Sequence, residues 1–153
     1  MLGRMAAHDF DFLHGRWTVA NRRLQSPRDP ASGTWETFDG VAECRPVLGG
    51  TGNLDEISSS VGGPDGVPFH GLTLRLHDPA TGRWRIWWAA DRQPGVLDDP
   101  MEGAFADGHG VFHGREGDLE VRFDWYVEGP RWVQSFRHGE EWVENWEMVF
   151  TAR

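Results

Sequence analysis

The sequence predicts an all-β fold, an antiparallel up-and-down β-barrel of about ten strands preceded by a short N-terminal helical turn. Three observations lead there. Apolar and polar residues alternate in short runs bounded by glycine, proline and aspartate, the period-two signature of half-buried strands. The 20 glycines are spread along the 153 residues, so they punctuate many short elements. Helical periodicity is nearly absent.

Only residues 7–14 could hold a helical turn or two, with Asp9 as an acid in its first turn. Strands then follow at 15–24, 34–45, 53–60 and 69–77. The turn Asp78-Pro79-Ala80-Thr81-Gly82 leads into a fifth at 83–91. Two shorter strands, 101–106 and 110–115, are linked by Asp107-Gly108-His109, and the last three cover 119–127, 131–137 and 142–151. Short connections favour a meander of hairpins. An open sheet of about ten strands would leave two vulnerable edges, so closure into a barrel is the simplest topology. No segment repeats another and no low-complexity linker divides the chain, so residues 1–153 read as one domain.

Alternation also sorts the faces. In 119–127, Val121, Phe123, Trp125 and Val127 share one face, expected inward, opposite Arg122, Asp124 and Tyr126. In 83–91 either face could line the lumen: Trp84, Ile86 and Trp88, or Arg85, Trp87, Ala89 and Asp91. The last strand sets Trp142, Glu144, Trp146, Met148 and Phe150 against Val143, Asn145, Glu147, Val149 and Thr151. If its aromatic face is internal, Glu144 sits at one end of the lumen. Trp132, Gln134 and Phe136 form a matching face on the neighbouring strand.

Composition excludes several functions. With a formal net charge of −9 and no lysine, the chain lacks the basic face that nucleic acid requires, and an anionic membrane surface is equally disfavoured. No apolar run approaches the roughly 20 residues that span a bilayer. The opening residues reach His8 and Asp9 before a signal-peptide core could form. One cysteine, Cys44, excludes an internal disulfide framework and fits a reducing cytoplasm. Nine tryptophans against one tyrosine suit either plain core packing or an aromatic-walled cavity.

Gly15-x-Trp17 on the first strand, after a helical turn, resembles the Gly-x-Trp signature of the lipocalin and calycin superfamily. That resemblance implies a barrel whose base is closed by the tryptophan with an arginine packed over it. The only arginine near the last strand is the terminal Arg153. The segments 48–56 (LGGTGNLDE), 74–84 (LRLHDPATGRW), 87–91 (WWAAD) and 145–151 (NWEMVFT) resemble a DUF1579-type family of bacterial proteins, also calycin-like. The resemblance implies the fold and is silent on activity.

Chemistry-bearing constellations are sparse. His109 and His113 share a strand face and His70 and His77 lie on another strand, but no ligand spacing supports a metal, and nothing singles out His70 as a haem ligand; no cofactor is expected. Ser58, Ser59 and Ser60 lack a nucleophile elbow, and Gly49-Gly50-Thr51-Gly52 lacks the Lys-Ser/Thr of a phosphate loop, so it is a turn. Asp55, paired with Arg75 or Arg85 across the lumen, could do acid–base work.

The leading expectation is therefore a binding module for a small hydrophobic or aromatic ligand. Trp87, Trp125, Trp132 and Trp146 would enclose it, and Asn53, Asp55, Arg75, Arg85 and Gln134 would orient it. The alternative is a cyclase- or isomerase-type enzyme using Asp55, Glu56 or Glu144, and a third is a structural domain with a solid interior. A homodimer is the expected assembly, with neither nucleic acid nor membrane as partner.

Overall fold

The computed structural model describes residues 6–59 and 62–153. Ser60, expected to end the third strand, and residues 1–5, which begin the segment read as lacking a leader, lie outside the described residues. Ten strands follow in order: β1 (Gly15–Leu24), β2 (Trp35–Val47), β3 (Gly52–Ser59), β4 (Phe69–Asp78) and β5 (Arg83–Ala90), then β6 (Met101–Ala106), β7 (His109–Glu116), β8 (Leu119–Tyr126), β9 (Arg131–His138) and β10 (Glu141–Ala152). Each pairs antiparallel with its sequence neighbour, and β1 pairs with both β2 and β10, which closes the barrel. Among the described residues, no helix is long and apolar enough to cross a membrane.

The wall has one weak seam. β5 and β6 pair only at Trp84↔Gly103, Arg85↔Glu102 and Ile86↔Met101, near the base. Above Ile86 the loop over residues 91–100 takes the place of the ladder, and its Asp98 N–H donates to the Trp88 carbonyl at 2.9 Å.

The base is closed by the chain's own N-terminal segment. The helical turn expected over 7–14 is a 3-10 turn, Asp11–Leu13, just before β1. Residues three apart share a side of a 3-10 turn, and Phe10 and Leu13 are the two that it buries in the barrel. Phe10 meets Trp84 and Phe105 edge-on, with ring centroids 4.9 and 4.8 Å away. Two indoles fasten the segment: Trp17 Nε1 donates to the Leu13 carbonyl at 2.8 Å, and Trp84 Nε1 donates to Asp9 Oδ2 at 3.2 Å. The terminal Arg153 donates its backbone N–H to the Arg16 carbonyl and lines a groove on the outer wall.

The opposite end is strapped by charge. Arg23 Nη1 donates to Glu36 Oε1 at 3.4 Å, and Glu36 also accepts the Asp65 backbone N–H. Arg92 donates to Asp65 Oδ2 at 3.2 Å and to the Pro64 carbonyl at 2.8 Å. The strap links β2 to the loops that follow β3 and β5.

Phe10→Ala should destabilise the barrel by about 3–5 kcal/mol, because the base cannot collapse around the lost ring; urea titration would show this as a lower midpoint, and an unchanged midpoint would contradict the role given to the plug. Burial raises the Asp9 carboxyl above its ordinary 3.8, with the Trp84 hydrogen bond opposing that rise. The folded state therefore holds this proton more tightly than the unfolded chain does. Asp9's contribution to stability is full below the unfolded value and lost as pH rises through the folded one. Asp9→Asn, which keeps an acceptor for Trp84, should be more stable than the parent at neutral pH, and the difference should vanish below about pH 4. Thermal melts across that range would test it.

Candidate functional site

Alternation around the closed wall brings two polar clusters into an otherwise aromatic interior. The lower one lies above the plug. Arg75 on β4 is 3% exposed, and its Nη1 lies 2.6 Å from Asp55 Oδ2 and 3.0 Å from Asn53 Oδ1, both on β3. The guanidinium carbon stands 5.2 Å from the Phe10 ring and 5.4 Å from the Trp125 ring, so the cation contacts both aromatic rings. Cys44, directly across the ladder from Asp55, is buried here too. Burial pushes its thiol up to about 11, against the pull of Arg75 and with a smaller push from Asp55. It is a packing residue at neutral pH.

The upper cluster faces the other end. Trp146 Nε1 donates to Asn21 Oδ1 at 2.9 Å, and Gln134 Nε2 donates to Asn145 Oδ1 at 2.8 Å. Around them stand Phe38, Phe69, Trp88 and Trp132: Trp146 lies 5.7 Å from Trp132, 6.4 Å from Phe38 and 6.3 Å from Phe69, and Phe69 lies 6.5 Å from Trp88. Gly71 is what admits Trp88, because a Cβ at that position would run into the indole.

Of the expected ligand-binding residues, Asn53, Arg75, Trp125, Trp132, Gln134 and Trp146 project inward. Arg85 and Trp87 do not. The apolar set Trp84, Ile86 and Trp88 takes the inner face of β5, leaving Arg85 exposed and Trp87 half-buried on the outside, where it faces Leu74 across the ladder.

Of the three expected carboxylates, only Asp55 is inside. Glu56 follows it on β3 and so faces outward. Glu144 is turned outward by a β-bulge: β9 and β10 pair at Glu144↔Ser135 and again at Trp146↔Gln134, leaving Asn145 as the extra residue. Beyond the bulge the alternation reverses, so Trp142 and Glu144 join the outer face while Asn145 is buried. With Asp55 paired to Arg75 above the sealed base, the lumen holds no free carboxylate among the described residues.

Other candidates resolve in place. His70 is exposed and bonded to Asp91 at 2.8 Å, and the inward histidine of β4 is His77, against Trp84. On the outer wall His109 binds Asp124 at 2.6 Å, whereas His113 lies against Trp142. Ser59 Oγ donates to the Gly62 carbonyl and accepts the Phe69 N–H, so it braces a turn. Gly49 and Gly50 take positive φ in the 3-10 turn Leu48–Gly50, the turn expected there. Among the described residues no group of three or more His, Cys, Asp or Glu is placed to hold a metal.

Two open cavities lie outside the barrel. One, of about 840 Å³, runs along the outer wall beneath residues 91–97, and the other, of about 610 Å³, lies beside His109, Tyr126 and Arg131.

No family model matches the chain, and no curated protein matches it in sequence. Among solved structures it is similar to Rv2717c from M. tuberculosis, with a TM-score of 0.64 and 11% identity over 97% of each chain. At that identity the likeness establishes the barrel fold alone.

Removing one partner of a buried ion pair strands the other charge. Asp55→Ala should therefore cost about 3–5 kcal/mol. Glu120→Ala, which breaks an exposed pair with Arg137 at 2.9 Å, should cost at most about 1 kcal/mol. Denaturant titrations giving equal costs would show that the Arg75 cluster is not a structural tie.

Proposed function

We propose that the barrel binds a small apolar or aromatic molecule in its upper lumen, between Phe38, Phe69, Trp88, Trp132 and Trp146. The observation that carries this reading is that the upper end, unlike the base with its Phe10 and Leu13 plug, is bridged among the described residues by the Glu36, Asp65 and Arg92 strap. On its inner face Trp88, Phe123 and Trp146 stay part-buried, whereas the part-buried aromatics of the base, Trp17 and Phe105, are held by the plug itself. Inward aromatics that remain partly wet mark the end where an apolar guest gains most from burial. The short β5–β6 ladder supports it too, since it ends just below Trp88 and leaves the wall thinnest beside the aromatic cluster.

The reading includes membership of the DUF1579-type family, on the strength of the four motif segments. These occupy the β2–β3 turn with β3, the β4–β5 hairpin, the upper part of β5 and most of β10. It also includes a cytoplasmic setting, supported by the one free and buried cysteine.

Naphthalene-sized aromatics should quench the intrinsic tryptophan fluorescence saturably. Trp146→Ala should weaken that binding about tenfold, the loss expected from roughly 1.4 kcal/mol of stacking and burial. Trp84→Phe, a change at the sealed base, should leave the affinity within about twofold. Absence of any saturable response, with every tryptophan shielded from acrylamide, would show a solid interior and overturn the reading.

A further inference from the structure

Resting on the upper-lumen reading, we infer that the guest is a neutral aromatic molecule carrying a carbonyl-type acceptor oxygen, and that Asn145 Nδ2 is the group that binds it. Asn145 is 1% exposed, its Oδ1 accepts from Gln134, and its Nδ2 has no hydrogen-bond partner. A buried amide of this kind is normally satisfied, and each exception calls for a physical reason.

The bulge in β10 supplies the placement. It inserts Asn145 beside Trp146 and aims it at the inner wall, away from the outer face that strict alternation would assign. The neighbouring donors are already engaged: the Trp146 indole N–H with Asn21, and the Gln134 amide with Asn145 itself. Among the described residues, Asn145 Nδ2 and the ring nitrogen His138 Nε2, two residues beyond Phe136 on β9, are the buried groups left without a partner at this end, and Asn145 is the one beside Trp146.

Charge selects the neutral class. The cation at this end of the interior, Arg23, is paired with Glu36, and the buried Arg75 is paired with Asp55. An anion entering the upper lumen would find both of these arginines already paired, and desolvating it would be costly. A carbonyl oxygen needs only one donor, and Trp132 and Trp146, packed edge to face on one another at 5.7 Å, form an aromatic wall beside it.

Three probes of similar size test this: 2-acetylnaphthalene, 2-ethylnaphthalene and 2-naphthoate, titrated calorimetrically against the full chain. The ketone should bind about tenfold tighter than the hydrocarbon, and its carbonyl infrared band should move to lower frequency on binding. In Asn145→Leu both effects should disappear while 2-ethylnaphthalene affinity holds within about threefold. Should that variant fail to fold, Gln134→Leu/Asn145→Leu removes both partners of the hydrogen bond together and leaves neither stranded. Equal binding of ketone and hydrocarbon, or an unshifted carbonyl band, would overturn the inference while leaving an aromatic pocket standing. Tightest binding by 2-naphthoate would overturn the neutral class. Failure of all three probes to bind would overturn the pocket, and the inference with it.

Discussion

Everything in this molecule depends on β1 being hydrogen-bonded along both edges. Trp17 faces Ala42 of β2 on one side and Ala152 of β10 on the other, and the double pairing continues up to Arg23. Closure removes both free edges of a ten-strand sheet and gives every strand one inner and one outer face. Once it is made, the identity of the interior follows from alternation: Val19, Ile57, Ile86, Phe112, Val121 and Met148 become neighbours although they come from six different strands.

The closed wall then has two unlike ends. The base receives Phe10 and Leu13 from the segment before β1, and the aromatic side chains there contact one another in edge-on pairs that leave little for water to reach. Among the described residues the other end has no such plug. It is bridged by ionic and backbone contacts through Glu36, Asp65 and Arg92, groups that remain at the rim because full desolvation would be costly. Between a packed base and a charged mouth, the polar groups of the interior sit at two depths.

Those depths differ in chemistry. The lower cluster is self-contained, since Arg75, Asp55 and Asn53 satisfy most of one another's needs inside a low-dielectric space. It holds β3 to β4 by side chains as well as by backbone. The upper cluster is built from neutral amides and an indole, and it leaves a donor unanswered. Burial of a charged pair makes the lower cluster a structural tie; the unanswered amide of the upper one is where the proposed recognition rests.

Much of this was legible in the chain itself. The strands were, nearly residue for residue, because period-two alternation and glycine, proline and aspartate punctuation are local properties that no tertiary contact needs to reveal. The inward faces of β8 and β9 were legible for the same reason. Asn21 could have been found by following alternation from Trp17 through Val19. The face of β5 could not, because both of its faces carry tryptophan; which one turns inward depends on Trp84 meeting Phe10 and on Trp88 finding the space left by Gly71. The bulge was also invisible. One extra residue in β10 leaves no mark in composition or spacing, yet it moves Glu144 to the outside and Asn145 to the inside. Local patterning thus determined the elements and their order. Tertiary structure alone decided which polar groups share the lumen, because that depends on register between strands far apart in sequence.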